Sequence, residues 1–188
     1  MKKFILPALL MLMGLSPPAS AALPADSVWQ LNAGLTRQDG KQLHLADLAG
    51  KPRLVSMFYS SCPYMCPLII DTALAVQHDL SKQEQLQLGI VMISIDPEHD
   101  RPEVLQSLMH KRRLDDRTWM LASADGRTVR QIAALLGIRY RQLEGGGFNH
   151  TSVLILIDAE GRIVARTEKM GAPADPEFLS AVHRLLRE

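Results

Sequence analysis

Cys62 and Cys66 are the only two cysteines in a chain of 188 residues, and they stand four apart in Cys62-Pro63-Tyr64-Met65-Cys66-Pro67. If a helix starts across them, both side chains share one face and their α-carbons lie about 6 Å apart. That separation suits a disulfide, whose α-carbons are usually roughly 4.4–6.8 Å apart, and it equally suits two thiolates converging on one soft metal ion. A staple closing so short a loop would constrain the unfolded chain very little, which argues against a purely structural bridge. Pro67 supports a helix start, because the amide hydrogen it lacks would be unpaired in the first turn anyway. The positive end of the helix dipole favours a thiolate at that place.

Two cysteines need at least one further ligand to hold a metal ion. Of the six histidines, His150 is the best placed. It lies in Gly145-Gly146-Gly147-Phe148-Asn149-His150-Thr151, directly ahead of an apolar strand, where a glycine-rich backbone can carry it toward a neighbouring loop. A loop histidine without any role fits the same residues equally well. His99, in Asp96-Pro97-Glu98-His99-Asp100, follows a central strand and could support a ligand from behind. His44, His78, His110 and His183 fall in a hairpin or in helices and read as surface or core. Two thiolates and one imidazole fit structural zinc poorly, since such sites close with four protein ligands. They suit copper: thiolates select Cu(I), imidazole serves Cu(I) and Cu(II), and an incomplete shell lets the ion be passed on. The methionines are scattered and read as core packing.

These residues need elements to position them. Arg53 to Tyr59 is a short apolar run bounded by Gly50 and Pro52, which predicts a buried strand that hands over to a helix at the cysteines. Val28 to Leu45 alternates around Asp39-Gly40, the signature of an N-terminal hairpin. Leu68 to Leu80 has helical spacing, and Leu86 to Ile95 is a nearly continuous apolar run expected to be covered on both faces. A helix follows Pro102, a short strand spans Thr118 to Ala122, and a helix from Thr128 is capped by Gly137. Val153 to Ile157 and Arg162 to Lys169 predict two more strands around Asp158-Ala159-Glu160-Gly161, and Glu177 to Leu186 a last helix. Such alternation implies an α/β fold: a central sheet, parallel in part, with helices on both faces.

At the start, Lys2 and Lys3 precede an apolar stretch from Phe4 to Leu15, and Ala19-Ser20-Ala21 offers a small-residue cleavage site. This is the layout of a secretory signal. The apolar run is well short of the ~20 residues of a spanning helix, which weighs against a membrane anchor. Residues 1–21 are therefore expected to be a cleaved signal peptide and 22–188 a single domain, exported to the periplasm. With 47% hydrophobic and 22% charged residues and a net charge of +1, the chain gives no electrostatic case for nucleic acid. In an oxidising compartment a close cysteine pair forms a disulfide unless a reductant or metal holds it open.

Three blocks together resemble the Sco/SenC family: Phe58-Tyr59-Ser60-Ser61-Cys62-Pro63-Tyr64-Met65-Cys66-Pro67, then Ser94-Ile95-Asp96-Pro97-Glu98-His99-Asp100-Arg101-Pro102-Glu103-Val104-Leu105, then His150-Thr151-Ser152-Val153-Leu154-Ile155-Leu156-Ile157-Asp158. The resemblance runs over about residues 28–186. It implies a thioredoxin-like three-layer fold and one copper ion held by Cys62, Cys66 and His150, with Asp96 and Asp100 near the metal. It also implies a monomeric periplasmic metallochaperone that delivers copper to the copper-bearing subunit of cytochrome c oxidase, or to another exported copper protein, or keeps that centre's thiols reduced. A periplasmic thiol reductant is then a further partner. Where relatives carry acidic residues, this chain has Tyr64 and Asn149, which removes negative charge beside the site.

The alternative class is a thiol:disulfide oxidoreductase acting on exported clients without obligatory copper, with Cys62 and Cys66 as its redox pair. Against this as the sole role stand the four-residue spacing and the absence of proline from Phe148 to Ser152. A peroxiredoxin would want Thr or Ser three residues before its reactive cysteine, where this chain has Tyr59.

The cleavage site gives the first prediction. Intact-mass measurement of the exported protein should find a chain beginning near Ala22, whereas membrane-bound material retaining residues 1–21 would favour an anchor.

Overall fold

The computed structural model describes residues 23–62 and 65–187, with Cys66 described by its backbone. The expected signal peptide and the substitution at Tyr64 lie outside these residues. The elements in chain order are β1 (Gly34–Arg37), β2 (Gln42–His44), β3 (Arg53–Phe58), α1 (Met65–Asp79), α2 (Lys82–Gln87), β4 (Gly89–Ser94), α3 (Pro102–Arg112), β5 (Trp119–Ser123), α4 (Gly126–Leu135), β6 (Tyr140–Gln142), β7 (Phe148–His150), β8 (Leu154–Ile157), β9 (Ile163–Thr167) and α5 (Pro176–Leu185). Short 3-10 turns precede β1 and β3.

Seven strands form one mixed sheet in the order β2-β1-β5-β4-β3-β8-β9. The three central strands β5, β4 and β3 run parallel. The flanking strands run antiparallel to them: β8 pairs with β3, and β1 pairs with β5. Every residue of β4, β5 and β8 is buried, so both faces of the middle of the sheet are covered, as the continuous apolar runs require. The edge strand β9 instead alternates half-buried with exposed positions up to a buried Thr167. The expected α/β sheet flanked by helices is thus the observed one, and the Asp39-Gly40 turn closes the N-terminal hairpin, with Gly40 at φ 79°.

The topology brings the candidate residues to one edge. Because β3 and β4 are parallel, the segments following Phe58 and Ser94 leave from the same side of the sheet. Because β8 is antiparallel to β3, pairing Arg53 with Ile157 and Val55 with Ile155, the segment entering β8 arrives at that side too. Two hydrogen bonds secure the junction. The Ser56 hydroxyl donates to the Val153 carbonyl at 2.6 Å, and the Ile95 amide donates to the Phe58 carbonyl at 2.8 Å. Ligand sites of open α/β sheets lie at this carboxyl edge.

Two local expectations change. Leu86 belongs to α2 and is 59% exposed, so the strand begins at Gly89 and not at Leu86. A capping box explains the helix: the Glu84 amide donates to the Ser81 hydroxyl at 3.3 Å, and the Ser81 amide donates to the Glu84 carboxylate at 2.9 Å. These bonds, with His183 also at hand, pull the Glu84 pKa down to about 2. The second change is the glycine-rich loop. It is the tip of a separate two-stranded hairpin, β6–β7, in which Tyr140 faces His150 and Arg141 faces Asn149. Gly145, Gly146 and Gly147 all take positive φ there, at 87°, 93° and 77°, which other L-residues seldom adopt.

Candidate functional site

Cys62 follows β3 in a turn whose Cys62 amide donates to the Tyr59 carbonyl at 3.3 Å. It is half-buried and packs against the core. The helix begins at Met65, so Cys62 lies ahead of it, not on its face, and the spacing of two helical positions does not apply to this pair. Cys66 falls in the first turn of α1, where backbone N–H groups lack intrahelical partners.

Asp100 fixes the chain just ahead of Cys62. Asp100 is 1% exposed, and its carboxylate accepts from the Ser60 amide at 3.0 Å and from the Ser94 hydroxyl at 2.5 Å. The Ser60 hydroxyl donates to it as well. A single buried side chain thereby ties the turn two residues before Cys62 to the end of β4. Asp100 is itself set by a tight turn, in which its amide donates to the Asp96 carbonyl at 2.9 Å.

Asp96 and His99 are placed differently. The Asp96 carboxylate accepts from His99 Nδ1 at 2.9 Å, and the Asp96 amide donates to the Ser94 hydroxyl at 2.9 Å. The His99 side chain is 72% exposed. Its bond to Asp96, and then the charge of that carboxylate, raise its pKa. Asp96 lines a cleft of about 380 Å³ together with Tyr140 and Phe148, at the foot of the β6–β7 hairpin.

His150, at the end of β7, is brought to the Cys62 turn by a residue that sequence reasoning missed. Tyr59, three residues before Cys62, has its ring edge-on to His150 at 6.0 Å and to Phe148 at 5.3 Å between centroids. Its hydroxyl donates to the Phe148 carbonyl at 3.3 Å. Only the aromatic type of Tyr59 at a strand end hinted at this, since no spacing linked it to residues some ninety positions away. Asn149 is exposed on the same hairpin.

The histidine's protonation follows from its contacts. Nδ1 lies 3.2 Å from the Thr151 carbonyl, which can only accept, so Nδ1 carries the hydrogen and the lone pair sits on Nε2. Burial lowers the His150 pKa, with the Thr151 bond acting weakly in the other direction. At pH 7 the imidazole is neutral, the form that binds metals. Among the described residues no group of three or more His, Cys, Asp or Glu is arranged around a metal position, and the expected set includes Cys66, of which the backbone alone is described. The donor chemistry fits copper: a neutral imidazole lone pair and thiols on a turn and a helix start at one sheet edge.

The SCO1/SenC family model matches residues 31–187. The SCO1 protein homolog of Bacillus subtilis is 25% identical over 130 residues, covering 68% of this chain and 67% of that protein. Among solved structures, Arabidopsis thaliana ScoI with copper bound superimposes with a TM-score of 0.70 at 20% identity, over 83% of this chain and 97% of that one. BsSco, a member of the Sco family of cytochrome c oxidase assembly proteins in which a disulfide switch was identified, gives 0.68 at 23% identity, over 81% and 90%. The fold is therefore thioredoxin-like, and no helix of the described residues is long and apolar enough to cross a membrane.

Two predictions follow from the geometry. Asp100→Ala removes the acceptor of three donors, so it should destabilise the chain by about 3 kcal/mol in urea unfolding. It should also speed alkylation of Cys62 by iodoacetamide. His150 should titrate below 6.5 by NMR, with Nδ1 protonated. Because its folded pKa is lowered, its neutral form contributes stability that is fully present above pH ~6.5 and is lost as pH falls through the folded value.

Proposed function

Because the chain belongs to the SCO1/SenC family, we propose that it is an exported copper carrier that holds its cargo with Cys62, Cys66 and His150. The observation that carries the reading is the placement of a neutral His150 against Tyr59, three residues from Cys62. Two thiolates would bind Cu(I), and the imidazole would extend the site to Cu(II). Asp100 acts behind the site by fixing the Cys62 turn, and Tyr59 by seating the histidine. Asp96 and His99 stand one step further off, as a pair at the foot of the hairpin.

The recipient in this reading is the copper-bearing subunit of cytochrome c oxidase or another exported copper protein, met by a monomer in the periplasm after removal of residues 1–21. The kinship with BsSco, a member of a cytochrome c oxidase assembly family, supports that destination. A second role, reduction of client disulfides by the same thiol pair, is favoured by one feature: Cys62 lines a cleft of about 260 Å³ beside the start of α1.

Anaerobic titration of the reduced chain with Cu(I) and Cu(II) tests the carrier. Wild type should bind both, with sulfur-to-copper absorption in the visible for Cu(II). His150→Ala should keep Cu(I) but weaken Cu(II) at least ~100-fold, since loss of a direct ligand should exceed the 10–100-fold cost of losing a supporting group. Cys62→Ser, Cys66→Ser and the oxidised chain should bind neither tightly. Unchanged Cu(II) binding in His150→Ala would remove His150 from the site and reopen His99.

A further inference from the structure

We propose that the cleft beside Cys62 is a docking groove for an acidic, disulfide-bearing segment of a client, with Lys111 as its main charged contact. The proposal rests on the reading of Cys62 and Cys66 as a reactive thiol pair and names the chemistry of the partner. The cleft is lined by Phe58, Ile70, Leu108 and Pro67, and its charged lining among the described residues is Lys111 and Arg112, with no carboxylate. Both cations come from the end of α3, where His110-Lys111-Arg112-Arg113 forms the most basic run of that helix. Arg112 is already engaged by Asp71 of α1. Lys111 is exposed and, among the described residues, makes no ion pair. The groove that Cys62 lines therefore presents an apolar floor and a lysine that, among the described residues, no carboxylate pairs.

The other side of the site repeats the bias. His150 lines a separate cleft with Arg139 and Arg141 and again no carboxylate. Asp96 and Glu98 line a different cleft, together with Arg130 and Arg141. A chain of net charge +1 thus shows only cations in the two clefts that flank Cys62 and His150, an arrangement that raises the local concentration of an acidic partner.

The step it serves balances as follows. The Cys62 thiolate attacks one sulfur of the client disulfide, forming a mixed disulfide and releasing the client's other sulfur as a thiolate. The Cys66 thiolate then attacks the Cys62 sulfur and releases the client's second thiolate. Two electrons and, over the cycle, two protons pass to the client, which leaves as a dithiol, and the chain retains the Cys62–Cys66 disulfide. A small thiol or dithiol reductant in the compartment returns it to the reduced state.

The test compares rates of the full reduced chain with three disulfides: 5,5′-dithiobis(2-nitrobenzoate), a dianion; 2-hydroxyethyl disulfide, neutral; and cystamine, a dication. Lys111→Glu should lower the ratio of the dianion rate to the dication rate on the order of fivefold at low salt, with the effect collapsing at about 0.5 M salt. Lys82→Glu, an equal charge reversal on the exposed start of α2, should leave the ratio unchanged. Unaltered ratios in Lys111→Glu, or equal shifts in both variants, would overturn the groove while leaving the thiol pair standing. A wild-type chain that reacts with none of the three would overturn the thiol reading and the groove with it.

Discussion

The carboxylate of Asp100 is the contact on which the site depends. Taking a carboxylate out of water is costly unless donors replace the lost hydration, and here one backbone amide and two serine hydroxyls do so. The three donors come from the ends of two different strands. Their bonds to one oxygen pair lock the exit of β3 to the exit of β4, and the Cys62 turn inherits that rigidity. The effect on the cysteine is indirect: Asp100 acts through Ser60, by holding the backbone that presents the thiol.

The sheet supplies what a single contact cannot. A parallel β3–β4 pair and an antiparallel β8 are enough to deliver three segments, far apart in sequence, to one edge. Continuous apolar runs made these strands legible, as did the Asp39-Gly40 turn and the proline and glycine boundaries of α3 and α4. The pairing order was not legible, because which strand neighbours which is decided by packing between distant residues. Ser81 with Glu84 spells a capping box, a signal that the apolar pattern from Leu86 onward hid. The β6–β7 hairpin escaped for another reason: strands of three residues at Tyr140–Gln142 and Phe148–His150 are too short to display a period of two.

Cys62, Cys66 and His150 could be singled out because their residue types are rare and chemically specific. The residues that hold them in place could not. Ser60, Ser94 and Tyr59 are ordinary at their positions, and their roles exist only once the strands are paired. Asp100 occupied a middle ground, since family resemblance placed it near the metal but gave it no partner. The basic end of α3 was passed over for the same reason: a run of four residues in a near-neutral chain acquires meaning only when the fold sets it beside Cys62.

The two halves of the site are anchored unequally, and this bears on how a cargo could leave. Cys62 sits on a turn fastened by Asp100 to the fully buried β4, so displacing it means breaking bonds at the centre of the molecule. His150 sits on a hairpin that forms its own two-stranded sheet outside the central one. Its tie to the cysteine turn includes one tyrosine hydroxyl bond and edge-on ring contacts, interactions worth roughly 1 kcal/mol each. A ligand exchange that begins at the imidazole therefore disturbs little of the core, whereas one that begins at Cys62 must oppose it. In the carrier proposed above, the thiols would then keep hold of a soft ion while the histidine yields its place to a donor from the recipient.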